Sequence, residues 1–157
     1  MANQEQQQFT IQRIYLKDVS FEIPNAPNIF REEWKPENNL TISTTINGLE
    51  QNTFEVVLSV NLISKAGEKT IFVIELQQAG IFTITGMLEN ERLRLLGAYC
   101  PNVLFAYARE IVTDLVIKGS FQQVILQPIN FDALFLQHQQ ELAKRAQDES
   151  SRGQILN

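Results

Sequence analysis

The chain has one cysteine and one histidine among its 157 residues. A single cysteine, Cys100, excludes an internal disulfide. With His138 as the one histidine, the several Cys and His ligands that zinc prefers cannot be assembled. No apolar run approaches the roughly 20 residues of a membrane helix, so no membrane insertion is expected. The first eight residues are polar and lack the apolar stretch of a signal peptide. Together these absences predict a cytoplasmic protein. No glycine-rich phosphate loop is present, neither the Walker pattern nor G-x-G-x-x-G after a strand. Binding or hydrolysis of ATP by a familiar route is therefore not expected, and no cofactor is implied. Cations are also in deficit. Thirteen Lys and Arg against 18 Asp and Glu leave a formal charge of −5. A nucleic-acid partner needs a basic surface to displace counterions from phosphates, so that class is set aside.

Nor is there a constellation for catalysis. Cys100 precedes Pro101 at an expected helix start, where a thiol pKa can fall. No second histidine is available to activate it, and a buried structural thiol is expected. His138 lies on an apolar stripe, which reads as a half-buried or partner-facing packing residue. The spacing of the carboxylates does not suggest a glycosidase pair. The chain is not expected to be an enzyme.

What is present is an ordinary globular composition, 44% hydrophobic and 20% charged, sufficient for one domain with a core. Residues 1–8 read as a disordered tail, 9–146 as the folded domain and 147–157 as a second polar, disordered tail. Residues 9–23 read as a strand. Phe9, Ile11, Val19, Phe21 and Ile23 share one parity and Thr10, Gln12, Asp18, Ser20 and Glu22 the other. Between them Ile14 and Leu16 fall on the polar side, while Arg13 and Lys17 interrupt the apolar side. The strand twists or bulges there, or both faces are partly buried. Residues 24–37 read as a loop denied regular structure by three prolines. Its Ile29, Phe30 and Trp34 either pack back or face a partner. A strand from Leu40 to Ile46, a turn at Asn47-Gly48, a strand from Phe54 to Ile63, a hairpin at 65–68 and a strand from Thr70 to Gln78 bent at Gly80 complete an antiparallel meander.

Residues 97–117 carry the strongest signal. They read as a turn followed by a helix opened by Pro101 and closed by Gly119. Leu104, Phe105, Ala108, Ile111, Val112, Leu115 and Val116 form one broad face at helical spacing. Val103, Tyr107 and Ile117 sit among charges on the other side. A monomer's helix usually buries one stripe. The second face reads as a subunit contact, or else as scattered surface apolar residues. A second helix begins at Asn130 as N-cap, with Asp132 in its first turn. Its stripe is Phe131, Leu134, Phe135, His138 and Leu142. Asp18 and Glu22 share one side of the first strand, and Glu75 interrupts the fourth. They form either a solvated sheet face or an acidic docking patch.

The chain resembles the SecB family of bacterial protein-export chaperones. The resemblance is carried by Ile-Gln-Arg-Ile-Tyr-Leu-Lys-Asp-Val-Ser-Phe-Glu (11–22), Pro-Asn-Ala-Pro (24–27), Gln-Gln-Ala-Gly-Ile-Phe (77–82), Leu-Gly-Ala-Tyr-Cys-Pro-Asn-Val-Leu-Phe-Ala-Tyr-Ala-Arg-Glu (96–110) and Pro-Ile-Asn-Phe-Asp-Ala-Leu-Phe (128–135). It implies an α+β subunit, a four-stranded antiparallel sheet with two helices, assembled as a homotetramer that is a dimer of dimers. It further implies an ATP-independent chaperone that binds unfolded precursor proteins, keeps them translocation-competent and delivers them to the SecA motor. Phe30, Trp34, Leu40, Ile42 and Leu136 match the client groove. Asp18, Glu22, Val73 and Glu75 match the acidic face on which SecA docks through a basic, zinc-bearing tail. Val103, Tyr107, Glu110, Asp114 and Ile117 become the oligomer interface. Two alternatives remain: a SecB-like chaperone for another client, such as an antitoxin, and a small-ligand binder on an oligomeric α+β domain.

Overall fold

The first strand decides which side chains face the core, and it does so through two irregularities. In the computed structural model, which describes residues 6–155, β1 spans Gln8–Glu22 and pairs antiparallel with β4 (Lys69–Thr85). The register shifts between Ile11 and Arg13 and again between Leu16 and Asp18, leaving Gln12 and Lys17 as extra residues. Each bulge reverses the parity of the strand residues beyond it. Phe9 and Ile11, then Ile14 and Leu16, then Val19 and Phe21 therefore share one face. Thr10, Arg13, Tyr15, Asp18, Ser20 and Glu22 take the other. Bulging, rather than burial of both faces, accounts for the broken alternation.

β2 (Glu37–Glu50), β3 (Thr53–Ala66) and β4 form a meander, and the sheet order is β1-β4-β3-β2. β1 thus adds beside β4, not beside β2, and residues 23–36 carry the chain between opposite edges. That loop contains one turn of 3-10 helix, Asn28–Arg31, despite its prolines. The Asn47-Gly48 turn is not formed. β2 continues to Glu50 because Asn47 is held in the sheet, its Nδ2 donating to Glu55 Oε1 at 3.0 Å. The chain reverses one step later, at Asn52, which takes the left-handed φ of 65° that asparagine tolerates. β4 also does not bend at Gly80 but runs on to Thr85. The glycine is needed there for clearance: a Cβ would lie 2.8 Å from the Phe82 ring and 3.1 Å from the Arg13 carbonyl oxygen.

The expected turn at 97–100 is helical as well. α1 (Glu89–Arg94) passes through a π-helical turn, Leu95–Tyr99, into α2 (Cys100–Lys118). Pro101 has no N–H to donate backwards. The widened turn before it takes up that misfit within a continuous helix. α2 lies on the sheet face that carries Val56, Leu58, Val60, Leu62, Ile74 and Leu76, and it buries Leu104, Phe105, Ala108, Val112 and Val116 there. Ile111 and Leu115 are only half-buried. Cys100 is buried, and desolvation pushes its thiol up to about 12.

α3 runs from Phe131 to Ile155, so residues 147–155 are helical and not the disordered tail expected from their polarity. Polar composition denies a segment a core, but Gln, Glu, Lys, Arg and Ala are good helix formers. The other expected tail shortens: β1 already begins at Gln8, while residues 1–5, like 156–157, lie outside the described residues. Asn130 caps α3 as expected, its Oδ1 accepting from the Ala133 N–H at 3.0 Å. The α3 stripe is covered only at its start. Phe131 is buried and Phe135 half-buried, whereas Leu134, His138 and Leu142 are exposed. His138 is therefore not half-buried within this chain. No helix among the described residues is long and apolar enough to cross a membrane.

Candidate functional site

The sheet face turned away from α2 gathers the four acidic-patch residues. Glu22 stands opposite Val73, Ser20 opposite Glu75 and Asp18 opposite Gln77 on the paired strands β1 and β4. Asp18, Glu22 and Glu75 are exposed and Val73 is half-buried. None of the three carboxylates makes an ion pair among the described residues. The result is an unneutralised acidic strip around an apolar side chain. The second bulge creates it, because without the extra Lys17 the parity of Asp18 and Glu22 would place them toward the helix.

Beside the strip lies a network that the sequence did not announce. Glu55 on β3 is 8% exposed, yet it carries a charge. It accepts hydrogen bonds from the Tyr15 hydroxyl, from Lys17 Nζ at 3.0 and 3.1 Å, and from Asn47. The Tyr15 hydrogen bond foremost, then those of Asn47 and Lys17, outweigh burial and hold Glu55 below the usual carboxylate value. Burial, with the adjoining carboxylate, pushes the Tyr15 hydroxyl up to about 12. The only advance signal was one charged residue inside an otherwise apolar strand.

The expected groove residues fall into three sets. Phe30 and Trp34 gather around Phe121. Phe30 stacks on it with centroids 5.4 Å apart, and Trp34 meets it edge-on at 6.2 Å. Phe72 extends the cluster from β4, 5.1 Å from Phe121. Trp34 also donates its Nε1–H to the Ile29 carbonyl at 2.7 Å, which fixes the loop while leaving Phe30 47% exposed. A cavity of about 440 Å³ opens here, with Glu32 and Glu33 in its lining beside the aromatic rings. Leu40 and Ile42 lie on the helix side of the edge strand β2, Leu40 exposed and Ile42 half-buried. Leu136 is 58% exposed on α3. The π-helical turn touches both β2 and α3.

Phe121 joins this cluster without having stood out in the sequence. Its position depends on the end of α2. Gly119 has φ −76°, and the left-handed residue is Ser120. Gly119 is thus required for space and not for a left-handed cap. A Cβ there would sit 2.7 Å from the Phe21 ring and 2.9 Å from the Phe121 ring. An aromatic two residues after a helix-ending glycine was the available clue.

The outer side of α2 presents Val103, Tyr107, Glu110, Asp114 and Ile117 at alternating spacings of four and three, the pattern of a helix–helix seam. Tyr107 is 46% and Ile117 56% exposed, and Val103 is half-buried. Asp114 pairs with Lys118 at 3.0 Å. Glu110, Asp114 and Ile117 line an open groove of about 880 Å³ whose opposite wall includes Leu16 and Val19 of β1. Among the described residues no group of three His, Cys, Asp or Glu could hold a metal ion.

A family model described as "Preprotein translocase subunit SecB" matches residues 2–142. "Protein-export protein SecB" of Alcanivorax borkumensis is 53% identical over 144 residues, covering 90% of this chain and 92% of the relative. The protein of the same description from Marinobacter nauticus is 47% identical over 153 residues, covering 95% and 93%. Among solved structures, a Mycobacterium tuberculosis SecB-like chaperone, in complex with a peptide from the HigA1 antitoxin, superposes with a TM-score of 0.63 at 18% identity. It covers 77% of this chain and 90% of that one, and it attests the fold alone. The chain belongs to the SecB family of protein-export chaperones.

Proposed function

We propose that the chain is an ATP-independent holdase of the cytoplasm that binds unfolded precursor proteins and delivers them to the SecA motor. The observation that carries this reading is the separation of two unlike surfaces. One comprises the wholly or partly exposed apolar side chains of Phe30 and Trp34 in the crossover loop, Leu40 and Ile42 on β2, and Leu136 on α3. The other is the unpaired acidic strip of Asp18, Glu22 and Glu75 around Val73 on the opposite sheet face. A shallow apolar surface holds extended segments without reading a sequence, which suits unfolded chains. An acidic strip attracts a basic tail and speeds encounter with it. A client and a motor can then be bound together, so delivery requires no nucleotide of the chaperone's own.

The same reading makes the protein a homotetramer, a dimer of dimers joined through the α2 seam of Val103, Tyr107, Glu110, Asp114 and Ile117. Several grooves per assembly would add avidity for a long client. The test is Glu75→Lys. It is expected to weaken binding of SecA while leaving the affinity for an unfolded precursor unchanged. Equal SecA binding by both proteins would remove the acidic strip from the account.

A further inference from the structure

Lys17 is the cation that the fold places directly beside Asp18 of the acidic strip. It is the extra residue of the second bulge and adjoins Asp18. Both Lys17 and Asp18 serve the open face. Left free, the ammonium would lie beside the carboxylate and partly cancel it. Instead Lys17 Nζ reaches across β4 to Glu55, which stands opposite Ile81. The acidic strip runs along β4 in the other direction, from Gln77 through Glu75 to Val73.

The Glu55 carboxylate is held by groups other than Lys17 as well. Tyr15 and Asn47 each donate to it, from β1 and β2. Its side chain is 11% exposed, whereas that of Lys17 is 43% exposed. The carboxylate is therefore the anchored partner and the lysine the captured one. Arg13 and Lys65, also exposed on this face and in no ion pair among the described residues, stand opposite Ile81 and Thr70, beyond the two ends of the strip.

We infer that Glu55 is a positioning residue for docking: it sequesters the Lys17 ammonium, so that the strip of Asp18, Glu22 and Glu75 meets a basic partner at full negative charge. This inference rests on the docking reading above. It adds that the strength of docking is set by a residue that does not touch the partner.

The experiment measures binding of the zinc-loaded basic tail of SecA to the full chain at low salt. Glu55→Gln is expected to weaken binding about threefold, the scale of one exposed ion pair. Adding Lys17→Gln to that variant is expected to restore wild-type affinity, because the freed cation is gone and the net charge is again that of the wild type. Glu141→Gln, an identical change of charge out on α3, is expected to leave binding unchanged. Weak binding by Glu55→Gln that the second substitution does not restore would overturn the inference, since a general loss of structure would act that way. Wild-type binding by Glu55→Gln would also overturn it, while Asp18→Asn and Glu75→Lys report separately on docking. If Asp18→Asn and Glu75→Lys are themselves silent, both readings fall. Should Glu55→Gln not fold, Glu55→Asp takes its place. It keeps the charge and shortens the reach by one methylene, with the same expected loss; adding Lys17→Gln to it is expected to raise binding to the wild-type level or above, because the net charge is then one unit more negative than that of the wild type.

Discussion

The hydroxyl of Tyr15 on β1 donates to the buried carboxylate of Glu55 on β3, spanning the intervening strand β4. Ala79 stands in register between Tyr15 and Val57 and is fully buried, although it faces away from α2. Tyr15→Phe deletes the leading support of the carboxylate and is expected to cost about 2 kcal/mol, the scale of a hydrogen bond to a charged group. Urea unfolding of the two proteins measures the difference.

The same pair fixes two limbs of the stability profile. Glu55 is held below its unfolded pKa. Its contribution is present above the ordinary carboxylate value, about 4.3, and is lost as pH falls through its folded value. Tyr15 is raised from 10.0 to about 12. Its contribution is present below pH 10.0 and is lost as pH rises toward 12. Tyr15→Phe is expected to reduce the losses on both limbs. Cys100, raised from 9.0 to about 12, keeps part of the alkaline loss in both proteins. Stability measured from pH 3 to 11 checks this.

Trp34 is the single tryptophan and packs edge-on against Phe121. Gly119→Ala places a methyl against the Phe21 and Phe121 rings and is expected to cost about 1–3 kcal/mol by overpacking. It should also shift Trp34 emission, because Phe121 must move. An unchanged spectrum would show that the ring has other room.

Much of this was legible in the sequence, for reasons tied to particular residues. Periodicity exposed the broad apolar face of α2 because every third or fourth residue meets the same sheet. The broken parity between Arg13 and Lys17 was visible, but two bulges and a half-buried strand write the same pattern, and only the register separates them. Asn47-Gly48 misled because its local turn preference lost to a long-range bond from Asn47 to Glu55. The helical state of 147–155 was missed because polarity reports burial, not backbone conformation. In the candidate site, single residues such as Glu75 and Trp34 stood out by type. Phe121, Glu55 and Lys17 matter through contacts distant in sequence, which no local pattern encodes.

The α2 seam carries its own test. Tyr107→Glu or Ile117→Lys places another charge on a face with Glu110 and Asp114. Native mass measurement at micromolar concentration is expected to show a tetramer for the wild-type chain and smaller species for the variants. A wild-type monomer would remove the seam as an interface.

Binding of a slow-folding precursor, presented unfolded and then in its folded form, distinguishes a holdase from a protein that binds folded partners or small ligands. Tight binding of the unfolded chain is expected, weakened by Phe30→Ala with Trp34→Ala, and no binding of the folded form. Equal affinity for both forms, or none for either, would rule out a holdase.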